Sequence, residues 1–189
     1  MAIRGGMKMA AHYFIGIKSP TNLEHIMGAY KTKYNLTDEY KVIPHPEDLH
    51  VTLVFLGAMS EQLLHPLIEN LRIIAEKTPA FPMHVDGLSY FGSPSGPRVV
   101  YLSIEENKVL SVLQKEIDET VAAQLNTPVS DRFTPHITIA KKRMSKKKLF
   151  IQKEKFESIE IPVVSFALFK INPDKSPKYE AVETFLVKH

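Results

Sequence analysis

A chain of 189 residues, 44% hydrophobic and 24% charged, has the make-up of a folded globular protein with enough apolar material for its own core. It holds no cysteine, which excludes a disulfide framework, an iron–sulfur cluster, a thiol nucleophile and a cysteine-ligated zinc. The 24 Lys+Arg and 21 Asp+Glu leave +3, too little to mark a nucleic-acid binder by bulk charge, and no apolar run reaches the roughly 20 residues of a spanning helix. The chemistry must run on His, Ser, Thr, Asp, Glu, Lys or Arg, in a cytoplasmic setting.

Residues 1–6 (MAIRGG) read as a leader or cloning remnant, leaving a single domain over 7–189. The first strand is expected at His12–Lys18, ended by Ser19-Pro20, where Ser19 caps and Pro20 opens a helix running to about Tyr34. A polar stretch with Pro44 and Pro46 leads into a strand, Leu49–Gly57. A helix follows from Ser60 or Glu61 to Lys77, with Leu64, Leu67, Ile68, Leu71 and Ile74 on one face. Phe81–Phe91 and Arg98–Ile104 read as extended segments joined by a hairpin loop, Gly92–Pro97, which lacks the Gly-Lys-Ser/Thr ending of a nucleotide-binding loop. Asn107 caps a helix to about Leu125. The remaining elements are a strand at Pro135–Lys141, a helix at Ser145–Glu157 and strands at Ile161–Ile171 and Tyr179–Val187. The alternation lacks the strict rhythm of a doubly wound sheet, so an α+β protein with mostly antiparallel strands is expected.

Two segments share one pattern: His50-Val51-Thr52-Leu53 and His136-Ile137-Thr138-Ile139. Each falls in an expected strand, just after a proline-bearing loop. Strand side chains alternate faces, so each strand sets an imidazole and a hydroxyl side by side and an aliphatic pair behind them. One His-x-Thr is unremarkable, but a matched second copy is what a two-fold catalytic constellation requires.

Displacement at phosphorus needs a base for the nucleophile and an acid for the leaving oxygen. Two histidines titrating near neutrality fill both roles, without fixing which is which. Two threonine hydroxyls can donate to the non-bridging oxygens, where transition-state charge collects. No metal or other cofactor is required. Threonine is a poor zinc ligand, and no carboxylate lies at ligand spacing.

On these motifs the sequence resembles the 2H phosphoesterase superfamily, and more narrowly the bacterial RNA 2',3'-cyclic phosphodiesterases, also called 2'-5' RNA ligases (LigT-like). The resemblance runs from His12 onward through HYFIGI, HPEDLHVTLVFLG, FGSPSGPRVVYLSI, RFTPHITIAKK and SFALFKINPDKSPKYEAVETFLV. It implies a bilobal fold, two antiparallel sheets with pseudo-two-fold symmetry around a central cleft and helices on the outer faces. It also implies metal-free opening of a 2',3'-cyclic phosphate to a 2'-phosphate, with His50 as proton donor, His136 as acceptor, and Thr52 and Thr138 holding the phosphate. Many relatives carry arginine where this chain has Lys141, which keeps the charge but loses the bidentate fork.

Candidate substrate contacts are Lys141, Arg132 four residues before His136, and Phe14 on the first strand, for which core packing is the competing role. His45, in the loop before the first motif, is a weaker candidate. Six of the eight residues 141–148 are basic, either a grip on RNA phosphates or a solvated loop. The expected partners are RNA 3' ends or small nucleotides bearing a cyclic phosphate, met by a monomer away from any membrane. Competing readings are 2'-5' ligation, hydrolysis of a small cyclic phosphate or 2'-5' oligonucleotide, and an RNA-binding module without turnover.

Overall fold

The computed structural model describes residues 10–188. Nine strands and four α-helices follow in the order β1 (His12–Lys18), α1 (Glu24–Lys33), α2 (Leu36–Glu39), β2 (Tyr40–Val42), β3 (His50–Ala58), α3 (Glu61–Lys77), β4 (Phe81–Ser93), β5 (Gly96–Ile104), α4 (Lys108–Leu125), β6 (His136–Arg143), β7 (Glu154–Val163), β8 (Ser165–Ile171) and β9 (Tyr179–Leu186).

The strands run β7-β4-β5-β6-β3-β1-β8-β9, with β2 added beside β6. Every ladder between named strands is antiparallel. The path reads outward symmetrically from its middle: β3-β1-β8-β9 forms one half and β6-β5-β4-β7 the other. The halves join where Val51 pairs with Ile137. The α+β fold with two antiparallel halves is thus observed, and the two sheets are continuous through this short central ladder.

Packing follows the apolar periodicity. Leu64, Leu67, Leu71 and Ile74 of α3 and Leu110, Leu113, Ile117 and Val121 of α4 are buried, and all enter one core with Ile15, Ile17, Val51, Ile137 and Ile139 of the strands. Asn107 caps α4 as expected, its side chain accepting from the Leu110 N–H at 3.0 Å. Phe14 points the other way, into a small separate cluster with Ala167 and Phe169.

Several expectations are corrected. No helix occupies Ser145–Glu157. Residues 154–163 form β7 against β4, with Phe156, Ile159, Ile161 and Val163 turned inward. The apolar residues beside Lys146–Lys148 are the consecutive Leu149, Phe150 and Ile151, which on a helix would fan over about 200° instead of forming one stripe to bury. The strand expected over Ile161–Ile171 is two strands, broken at Val164. Ser19 does not cap α1: its hydroxyl is buried without a partner, and a 3-10 turn at 21–23 intervenes. The turn between β4 and β5 shrinks to Pro94-Ser95, because Gly92 pairs with Pro97 and Ser93 with Gly96. The short α2 and β2 had no sequence signal. The leader assigned to residues 1–6 lies outside the described residues.

Candidate active site

Val51 and Ile137 are fully buried and face the core as a cross-strand pair. Their neighbours face the other way. Antiparallel register about this pair sets His50 across from Thr138 and Thr52 across from His136, with Cα atoms of opposed residues about 5 Å apart. Two imidazoles and two hydroxyls from distant parts of the chain thus share one patch, related by a local two-fold axis.

The symmetry extends to a defect. On β3 the ladder with β1 pairs Gly16 with Thr52 and Ile15 with Val54, skipping Leu53; on β6 the ladder with β5 pairs Tyr101 with Thr138 and Val100 with Ala140, skipping Ile139. Each motif's fourth residue is therefore a β-bulge, which re-aims everything beyond it. Without the bulge Lys141 would point into the core; with it, Lys141 joins the face of His136 and Thr138. The same device turns Phe55, 63% exposed, onto the face of His50 and Thr52. The carbonyl of bulged Leu53 accepts a long hydrogen bond, 3.4 Å, from the amide of buried Gln114 on α4. Gly16 lies beside Thr52, where a Cβ would come within 2.7 Å of the Val51 carbonyl oxygen, so only glycine lets β1 approach there.

Both histidines are held alike. The Nδ1–H of His50 donates to the Asp48 carbonyl and that of His136 to the Thr134 carbonyl, each at 2.7 Å. A carbonyl only accepts, so Nδ1 carries the proton and Nε2 of the neutral ring offers its lone pair to the cleft. In His50 that lone pair accepts from the Thr52 hydroxyl at 2.9 Å. Phe14 lies 4.6 Å from the His50 ring and Tyr179 packs edge-on at 5.0 Å; Phe91 and Tyr101 each lie 5.0 Å from the His136 ring. Burial pushes His50 down to about 4, aided by the charges of Lys141 and His136 and opposed by the Asp48 hydrogen bond. Burial also lowers His136, against its bond to Thr134. Free of ligand, the pair is neutral at neutral pH. An anion between the rings reverses that balance and draws a proton onto one of them.

Of the candidate contacts, Phe14 is 3% exposed and forms the floor beneath His50 with Phe169, stacked on it at 5.0 Å. Lys141 reaches the site through the bulge. Arg132 is exposed and makes no side-chain hydrogen bond or ion pair among the described residues. Within the basic run, Arg143 is structural: it pairs with Glu39 at 3.1 Å and donates to the Lys147 carbonyl. Lys146, Lys147 and Lys148 are solvent-exposed.

Sequence reasoning missed Asp48. Its carbonyl orients His50, while its buried carboxylate accepts from the N–H groups of Lys178 and Tyr179 at 2.8–3.0 Å. One residue thus sets the His50 tautomer and ties down the loop that brings Tyr179 against the ring. The aromatic walls, Tyr179, Phe91 and Tyr101, were also missed, since each comes from a strand far from its histidine in sequence. Among the described residues no three His, Cys, Asp or Glu side chains converge as metal ligands.

The 2'-5' RNA ligase superfamily model matches residues 24–175. The chain belongs to this superfamily. An RNA 2',3'-cyclic phosphodiesterase of Bacillus subtilis (strain 168) is 35% identical over 178 residues, 92% of this chain and 95% of its own length. One from Geobacillus stearothermophilus is 28% identical over 181 residues, 93% of this chain; the chain spans 57% of that relative. Among solved structures of the fold, E. coli LigT complexed with 3'-AMP aligns with a TM-score of 0.79 at 20% identity, covering 95% of this chain and 99% of that one. TT0787 of Thermus thermophilus aligns at 0.75 and 26% identity, covering 94% and 100%. Membership in the superfamily agrees with the motif pair that the central ladder brings together. No helix among the described residues is long and apolar enough to cross a membrane.

Proposed function

We propose that this chain is a metal-independent, cytoplasmic phosphodiesterase that opens 2',3'-cyclic phosphate ends of RNA to a 2'-phosphate. The observation that carries the reading is the opposed pair: two imidazoles with Nδ1–H fixed on carbonyls and Nε2 turned to the cleft, that of His50 accepting from the Thr52 hydroxyl, each facing a threonine across one ladder. His136 takes a proton from water as it attacks phosphorus; the bond to the 3' oxygen breaks, and His50 protonates that oxygen. Thr52 and Thr138 donate to the non-bridging oxygens, with Lys141 supplying positive charge beside them. Cyclic-phosphate hydrolysis by the named relatives supports this choice of substrate. All four motif side chains come from one chain, so a monomer suffices.

The test is a 2',3'-cyclic-phosphate oligonucleotide incubated in EDTA, with the terminal phosphate identified afterwards. A 2'-phosphate with unchanged rate in chelator is expected; no turnover, or turnover lost to chelation, refutes the reading.

The same assay has a pH signature. The reactive pair holds one proton. His50 binds its proton only near pH 4 and His136 below its ordinary 6.5, so the one-proton state is filled on the acid side of 6.5 in the free enzyme. The kcat/KM profile is therefore a bell whose alkaline limb begins below about 6.5. Bound phosphate raises both imidazoles, so the kcat profile shifts to higher pH. Coincident profiles would contradict the burial argument.

A further inference from the structure

Beyond His50 the cleft continues into a cavity of about 280 Å³, walled by His45 and Asp48 before β3, Lys141 and Lys142 on β6, and Lys178 and Tyr179 at the start of β9. Three ammonium groups meet here, and among the described residues none is paired with a carboxylate side chain. The one acid, Asp48, is already engaged by two backbone N–H groups, that of Lys178 shared between both its oxygens. Burial, with the charges of Lys142 and Lys178, pushes Lys141 below its ordinary value, the mark of cations crowded without a counter-ion. The backbone is bent to achieve this: Lys142 sits at φ 61°, a left-handed conformation that β-strands avoid, so that consecutive lysines line one cavity instead of opposite faces. His45 accepts the Glu47 N–H on Nδ1 at 3.1 Å, so its neutral ring keeps a proton on Nε2. The cavity thus has three cationic donors and an imidazole N–H, and it opens on the same Lys141 that faces the motif threonines.

We infer that Lys142 and Lys178, with His45, form a second phosphate subsite for the phosphodiester one nucleotide upstream of the reacting cyclic phosphate. The substrate is then the end of a polymer in preference to a mononucleotide. This rests on the proposed function, and Lys141 lies between the two phosphates. The exposed lysines 146–148 add general positive field but no second set of contacts.

The experiment compares kcat/KM for a mononucleoside 2',3'-cyclic phosphate, a dinucleotide with the same terminal nucleoside, and that dinucleotide with a neutral methylphosphonate linkage. The charged dinucleotide should exceed both others by about tenfold. In Lys142→Gln/Lys178→Gln the ratio of charged to neutral dinucleotide should fall to near one, with turnover of the neutral dinucleotide as the folding control. Lys146→Gln/Lys147→Gln/Lys148→Gln should keep the ratio. Equal rates for the two dinucleotides in the wild type, a ratio retained in the double variant, or one lost equally in the loop variant would overturn the subsite.

If the wild type turns over none of the three, the functional reading fails. The subsite is then judged by titrating a nucleoside 2',5'-bisphosphate against the 2'-phosphate. About tenfold tighter binding of the bisphosphate, lost in the double variant, supports it; equal affinity refutes it.

Discussion

His50→Ala and His136→Ala should each lower kcat on a 2',3'-cyclic phosphate by about 10²–10⁴-fold, with KM changed far less. Each imidazole moves a proton only as the transition state forms, so its loss is felt in the chemical step rather than in ground-state binding. The two losses should not multiply. Once one proton transfer is gone the other cannot be concerted with it, and the double variant should fall little below the worse single one.

A phosphodiester with a good leaving group separates the roles. A p-nitrophenolate leaves without a proton, so His50→Ala should recover most of its rate on that substrate while His136→Ala stays slow. The opposite pattern would exchange the assignments of acid and base, and near-normal activity in either variant on the natural leaving group would remove that histidine from the mechanism.

Thr52→Val and Thr138→Val form the second expected result, with kcat falling by about 10²–10³-fold for each. Valine keeps the branched shape, and both positions are only partly buried, so the effect isolates the hydroxyl from packing. The register makes the two hydroxyls diagonal partners, each opposite the other motif's histidine. Both should therefore contact one phosphate, and the double variant should lose affinity for inorganic phosphate measured by titration. Thr52 also donates to His50 Nε2 in the free enzyme, a bond that favours the neutral ring. Thr52→Val should accordingly raise the His50 pKa, while Thr138→Val leaves it in place. Thermal unfolding should move little in either variant; a large drop would point to a structural role for the hydroxyl.

The four motif residues were legible because strand periodicity is local. His-x-Thr in an extended segment sets both groups on one face whatever else the fold does, and buried Val51 and Ile137 confirm that alternation. The β6 strand carried the same information as far as Thr138, and there it stopped. Counting by twos puts Ala140 on the cleft face and Lys141 in the core, and the bulge at Ile139 reverses both. A bulge is a property of two strands in register, so no single segment announces it.

Misreading 145–157 as a helix had a related cause. Residues 154–157 lie in β7, and β4, distant in sequence, offers the ladder whose hydrogen bonds and apolar partners decide for a strand.

By itself, then, the sequence determined the fold class, the two motif strands, the capped α4, the candidate histidine and threonine groups, and the superfamily. Only the tertiary structure decided what those groups feel. The pairing of Val51 with Ile137 converts two separate motifs into one site. Asp48 fixes a tautomer through its carbonyl and a wall through its carboxylate. Burial holds both imidazoles neutral, and two bulges choose lysine at one end of the cleft and phenylalanine at the other. Side-chain parity along a strand is written in neighbouring residues, whereas register, burial and field depend on which distant segments pack together.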